Sequence, residues 1–455
     1  MLLSPCLSAW RLSLCVFFDF SLATEPFCGS LLRFAFHLGC TQEDVLNSEH
    51  RSCRLQFGRF DVAAFGCFFV YASGTVVLPV ALVALASDLG FSLFEGGLLA
   101  GGALHLGRTL SMVVAMLACG FAAGARGKRQ TLGSAMLLLG IGLALCALAP
   151  TYGILFVALL VAGIGEGVVE GLATPFVQDL HPEDSGQYLN FSHSFWSVGV
   201  LFTVLLTGAL LAQQVSWRLI SAGVASLALL PVLLLLLPTK EFHPLAASPD
   251  RLPWRHVMGQ MTTILKTPRF WLFFAAMFVA GGGEFCLTYW LASFIQMDIA
   301  GSAFAGGAGV ACFAGGMVLG RMGWGLWISQ HRLQPLIMYS ALAGTVLSLS
   351  LPSVSHLGLL MLMLFLIGVA TAPFWPSVQS YSVGRLPGAD TTMLFILLSC
   401  AGVPGCGFFA WLMGVVGNWG GGLRQAFYLV PICYLTLAVL IGTDGWRVAR
   451  SREKG

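Results

Sequence analysis

The sequence predicts an all-α membrane protein with twelve transmembrane helices in two six-helix bundles. From Phe60 to Asp444, apolar stretches recur at about 20 residues each, the length a helix needs to cross a hydrocarbon core about 30 Å thick. The composition agrees, at 57% hydrophobic and 9% charged, and a net charge of +3 gives no footing for a nucleic-acid partner. One long polar interruption, residues 239–269, divides the stretches six against six.

Residues 1–58 stand apart as an N-terminal extension. They hold Cys6, Cys15, Cys28, Cys40 and Cys53, five of the thirteen cysteines, and no sustained apolar run. Arg11 and Asp19 interrupt the stretch 1–23 that otherwise resembles a signal peptide. His37–Cys40 and His50–Cys53 are HxxC pairs, but no CxxC accompanies them, so no metal is expected. The first methionine after Met1 is Met112. We expect residues 1–50 to be either a misassigned extension or poorly ordered.

The N-terminal bundle occupies 59–238, with spans near 60–86, 94–123, 130–149, 152–178, 188–212 and 217–238. The linker 239–269 follows; three prolines, Pro244, Pro249 and Pro268, interrupt it, and 253–265 reads as a short surface helix. The C-terminal bundle occupies 270–446, with spans near 270–297, 303–328, 335–351, 356–380, 390–416 and 423–444. A basic tail, 447–455, closes the chain. Lipid offers nothing to bond backbone N–H and C=O groups, so each span is expected to be a helix.

Basic residues fall on one side of these spans. Arg126, Lys128, Arg129, Lys240, Arg251, Arg255, Lys266, Arg269, Arg332, Arg385 and the tail share it, and the opposite loops carry only Arg218 and Arg424. The positive-inside rule then places both termini and the linker in the cytoplasm, with the protein in the cell (inner) membrane. Trp217 and Trp419, near span ends, read as interfacial anchors. The remaining cysteines read as small apolar residues inside helices, with no disulfide framework.

Charges within the spans are functional candidates, because an ionisable group deep in a bilayer is costly unless paired or hydrated. His105 and Arg108 share one face of the second span, and Glu166 and Glu170 share one face of the fourth. Asn190, His193 and Trp196 lie on the fifth span, Glu284 on the seventh and Arg321 on the eighth. Three glutamates against two arginines leave at least one acid without an arginine. Such an acid can take up and release protons near neutral pH, whereas a static network neutralised by His105 or His193 would have no transport role. The stripe Gly163, Gly167, Gly171 permits close helix packing beside the two glutamates. Aromatic faces suited to a sugar ring or an apolar solute come from Trp196, Tyr289, Trp290 and Trp375, with Gln379 adding an amide one turn beyond Trp375.

The loop after the second span reads GFAAGARGKR, from Gly120 to Arg129, and resembles the cytoplasmic motif of the major facilitator superfamily. In that motif a glycine is followed by an acid, then by a glycine with two basic residues; Gly124 stands at the acid's place here. The resemblance implies the major facilitator fold and a cytoplasmic gate formed by Gly120, Gly124, Arg126, Gly127, Lys128 and Arg129. The stretch from Glu170 to Gly199, EGLATPFVQDLHPEDSGQYLNFSHSFWSVG, resembles the fucose-permease branch of sugar–proton symporters. That branch's proton-linked glutamate falls on Glu170, while its first-span carboxylate falls near Thr75, which is not acidic.

The expected function is secondary active transport of a small polar organic solute, a sugar or sugar acid, by alternating access with proton coupling. Glu170, Glu166 and Glu284 are the candidates for coupling. His105, Arg108, Asn190, His193, Trp196, Glu284, Tyr289, Trp290, Trp375 and Gln379 are the candidates for the solute site. The expected partners are the solute, protons and the lipid bilayer; the carrier is expected to be a monomer with no cofactor. A multidrug or metabolite exporter is the alternative, with a larger apolar cavity and fewer buried polar groups. A membrane-embedded sensor or enzyme is more remote, because no HExxH, Walker loop or soluble catalytic domain appears.

Overall fold

The computed structural model describes residues 57–93, 98–181, 185–238, 254–327, 332–420 and 422–452. The extension up to Gln56, linker residues 239–253, the tail beyond Arg452 and the side chain of Asn190 lie outside the described residues.

Among the described residues, twelve helices are long and apolar enough to cross a membrane, as the recurring apolar stretches predict. They are α1 (Arg59–Leu89), α2 (Leu98–Arg126), α3 (Lys128–Leu148), α4 (Tyr152–Leu180), α5 (Ser185–Ala212) and α6 (Trp217–Leu236). Then come α7 (Pro268–Ala300), α8 (Ala303–Trp327), α9 (Leu333–Ser353), α10 (Leu357–Arg385), α11 (Thr391–Gly420) and α12 (Leu423–Val448). A short helix, Trp254–Leu265, precedes α7.

Local sequence sets where these helices end and bend. Gly90 closes α1 in the left-handed conformation, which costs a residue without Cβ nothing. Gly127, at φ 83°, makes the turn between α2 and α3. Pro373 and Pro376 split α10 into Leu357–Thr371 and Phe374–Arg385, because a proline nitrogen has no hydrogen to give. The last turn of α7, Ile295–Ala300, is wound as a π-helix.

Helices α1–α6 pack among themselves, as do α7–α12; the two groups meet mainly where α2 lies on α11, α5 on α8 and α1 on α7. Apolar side chains that face away from these contacts stay exposed, among them Val114, Phe121, Leu219, Leu230, Val346 and Val439. That is the arrangement lipid requires, since hydrocarbon solvates leucine as well as a protein core does. The Gly163, Gly167, Gly171 stripe lies against the α2 backbone near Arg108 and Met112 and against the side chains of Met116 and Cys119. Trp217 departs from the anchor role expected of it: it is buried and donates Nε1–H to Asp88 at 3.1 Å. Trp419 is 85% exposed.

Candidate functional site

The second and fourth spans carry their charges into one tight pair. Arg108 donates Nε–H to Glu166 Oε2 at 2.6 Å and a second N–H to Oε1, the two-pronged geometry a guanidinium and a carboxylate favour. Arg108 is 2% exposed and Glu166 fully buried. A third helix completes the site. Pro79 has no N–H for the Thr75 carbonyl four residues before it, and Arg108 Nη1 reaches that carbonyl at 3.4 Å. The Thr75 hydroxyl touches both charged groups at 3.5 Å. Arg108 and Glu166 are thereby sealed among α1, α2 and α4.

One turn along α4, Glu170 is half-buried and lies between the two groups of helices. Ser399 of α11 donates to its Oε1 at 3.4 Å, and Gln379 of α10 donates to Ser399 at 3.3 Å. Tyr71 of α1 hydrogen-bonds the same carboxylate. Trp375 packs its ring on Gly402 of α11, where any Cβ would strike it. Among the described residues, no arginine or lysine pairs with Glu170. Of the three glutamates it is the one left over by the count of charges.

The third acid pairs loosely. Arg321 of α8 reaches Glu284 of α7 at 3.5 Å, Ser197 of α5 at 3.5 Å and the Ala372 carbonyl of α10 at 3.4 Å. Pro376 leaves that carbonyl without its helical partner, as Pro79 does for Thr75. Each group of six thus has an arginine on its second span that meets the first and fourth, with acid and freed carbonyl exchanged between those two. The Arg321 guanidinium also lies 5.6 Å from the ring centroid of Trp196.

The remaining candidates divide between an open and a closed region. His193 is open to solvent, shares a 3.0 Å hydrogen bond with Thr174 and lies on the Phe68 ring. His105 is 3% exposed, stacked between Phe285 and Tyr289 of α7, with neither ring nitrogen hydrogen-bonded. The Tyr289 hydroxyl donates to the Gly101 carbonyl of α2, and Trp290 donates to the Ala410 carbonyl at 2.7 Å. The Trp290 bond stays within the second group, whereas Tyr289 on Gly101, Leu98 N–H on Asn418 at 3.1 Å and Gln296 on the Val80 carbonyl at 3.3 Å join the two groups at the end away from the basic loops. No group of His, Cys, Asp or Glu among the described residues could hold a metal ion.

The family model described as Major Facilitator Superfamily matches residues 63–401. The chain belongs to that superfamily. It is a transporter and not an enzyme, as the missing catalytic motifs led us to expect. No curated protein matches it in sequence. Among solved structures, the nucleoside transporter NupG, in a mutant form, is similar at TM-score 0.69 and 15% identity over 85% of this chain and 98% of that one. The xylose transporter XylE from E. coli is similar at TM-score 0.66 and 14% identity, over 85% and 97%. The E. coli fucose:proton symporter FucP is similar at TM-score 0.58 and 18% identity, over 84% and 98%. These likenesses support the same fold, with the sugar-symporter branch named from Glu170 to Gly199 among them.

In this major facilitator the stretch GFAAGARGKR sits at the junction of α2 and α3. Gly120 and Gly124 face open space, and Arg126 is exposed. Lys128 pairs with Asp179 at the end of α4 at 2.6 Å, so an acid absent from position 124 is met from within the same group of helices. Arg129 lies 5.8 Å from the Phe60 ring, and its Nη1 is buried without a hydrogen bond. Several polar residues at these sites carried no distinguishing mark in the sequence. Tyr71, Thr174, Ser197 and Ser399 are ordinary helix residues until folding sets them beside a charge. Asp444 stood at the boundary of a span; it is buried and bound by Arg269 at 2.7 Å, Tyr381 at 2.7 Å and Arg385 at 3.4 Å.

Proposed function

We propose that this transporter carries a small polar organic solute, a sugar or sugar acid, together with protons across the cell membrane by alternating access. The observation that carries the reading is Glu170: a half-buried carboxylate between the two groups of helices, held by Ser399, with no cation paired to it among the described residues. Without a cation beside it, a proton can join or leave it as water reaches it. Its partners belong to helices that separate in alternating access, so protonation and conformation are linked. Bundles 59–238 and 270–446 rock against each other, with both termini and the basic loops in the cytoplasm.

Solute hydroxyls are bonded by Gln379, Ser399 and His193, with Trp196 and Trp375 as ring faces. A missing hydroxyl leaves a buried polar group unmet, which makes such a site discriminating. Arg108 and Glu166 fix α1, α2 and α4 as a rigid unit behind it. The names of the structural neighbours, a nucleoside transporter, a xylose transporter and a fucose:proton symporter, agree with a polyhydroxylated solute.

A thermal-shift panel of sugars, sugar acids and nucleosides, run at two pH values, identifies the solute class, since at a fixed concentration the tighter ligand stabilises more. In proteoliposomes, Glu170→Gln is expected to retain solute exchange and to lose uphill uptake driven by a proton gradient. Proton-driven accumulation unchanged by Glu170→Gln refutes the role given to that residue.

A further inference from the structure

The two arginines of the membrane interior are held very differently. Arg108 spends both prongs of its fork on one carboxylate and is sealed off. Arg321 is 27% exposed, and its contacts to Glu284, Ser197 and the Ala372 carbonyl are spread over three helices at 3.4–3.5 Å. Those distances are the outer limit of a hydrogen bond. A guanidinium presents five N–H donors in a planar fork matched to a carboxylate, and among the described residues no carboxylate takes two prongs of Arg321.

The surroundings of Arg321 suit an oxyanion on a small ring. Trp196 lies beside the guanidinium, which also reaches the Ser197 hydroxyl at 3.5 Å. Trp196 and Ser197 belong to α5 and Glu284 to α7. A ligand held by Arg321 therefore touches both groups of helices, and its binding is sensitive to their separation.

We propose that the solute carries a carboxylate, that Arg321 is the residue that grips it, and that Glu284 is the internal counter-ion the solute displaces. This rests on the transport of a polar solute proposed above and narrows its class to the sugar acids. Displacement has a consequence for charge. Glu284 is 4% exposed, and a buried carboxylate deprived of its partner is strongly destabilising. It must therefore take a proton as the anion arrives. One anion and one proton enter together, and the net charge of the site does not change. The ionisable neighbours of Glu284 are Arg321 of α8, Cys406 of α11 and Tyr434 of α12, and His193 of α5 faces Arg321. None of them is a second guanidinium that would hold Glu284 ionised.

The test measures binding of D-glucuronate and of neutral D-glucose to the purified full-length transporter across a pH series. Glucuronate is expected to bind more tightly, and its affinity to rise by up to about tenfold for each unit the pH falls through the coupled range. Glucose affinity changes less steeply over that range, because its binding displaces no counter-ion from Arg321. Arg321→Gln is expected to weaken glucuronate binding at least tenfold. Arg321→Lys, which keeps the charge but not the fork, loses an intermediate amount and covers a folding failure of the glutamine variant. Glu284→Gln imitates the protonated acid, so it keeps glucuronate binding and flattens the pH dependence.

Equal affinities for glucuronate and glucose, or glucuronate binding indifferent to Arg321→Gln, overturn the proposal. So does a glucuronate pH slope that Glu284→Gln leaves as steep as in the unsubstituted transporter. If neutral sugars are accumulated with a Glu170-dependent proton requirement, the carboxylate site fails while sugar–proton symport stands. If neither class is bound or carried, the wider functional reading fails with it.

Discussion

Replacing Arg108 by methionine probes a charge pair that is closed to solvent on both sides. The substitution leaves Glu166, which has no solvent exposure, without its two-pronged partner. Breaking a buried pair from one side costs about 3–5 kcal/mol. The Thr75 carbonyl, already without a helical partner because of Pro79, loses its donor as well, at about 1–3 kcal/mol. Glu166→Leu strands the arginine instead, at about 3–5 kcal/mol. In the double variant neither charge is left uncompensated, and a same-sized apolar replacement of a buried pair is often close to neutral. What remains is the unmet Thr75 carbonyl, so the double variant should cost only about 1–3 kcal/mol. Thermal unfolding in detergent, followed with a thiol-reactive dye, reads this directly, because Cys67, Cys119, Cys146, Cys286, Cys406 and Cys433 are buried free thiols. At roughly 2–4 °C per kcal/mol for a bundle of this size, each single variant should melt at least about 6 °C lower, with the double variant recovering most of the loss. Two single penalties that simply add in the double variant refute the coupling, and so do single penalties below about 1 kcal/mol.

Two further substitutions follow from packing and charge. Gly167→Ala drives a methyl group into the Met112 backbone of α2 and should cost about 1–3 kcal/mol, whereas Gly120→Ala faces open space and should be neutral or stabilising in the same melt. Asp444→Asn removes the charge that Arg269 and Arg385 share with the Tyr381 hydroxyl. Both arginines are partly hydrated, so the loss should be about 1–3 kcal/mol, read as a lower melting temperature.

The twelve spans were legible because lipid makes a local demand: about 20 consecutive residues must satisfy their own backbone, and every such stretch announces itself. Boundaries were less legible where short-range chemistry competes with hydropathy. The break in α10 at Pro373 is visible in the sequence as a proline pair, but the π-wound end of α7 carries no comparable mark. Trp217 read as an anchor because tryptophan near a span end commonly is one; only the fold shows Asp88 within reach of its indole.

Sequence alone established that three acids and two arginines share the membrane interior, and that one acid must do without an arginine. Which one is a matter of distance between helices. Arg108 and Glu166 are 58 positions apart, Ser399 and Glu170 are 229 apart, and no periodicity of a single helix relates either pair. Tertiary packing placed Glu166 in a sealed fork, Glu284 at a single long contact with Arg321 and Glu170 with hydroxyls alone. Hydropathy is summed along the chain, whereas the Coulomb energy of a buried charge depends on what stands a few ångströms away in space.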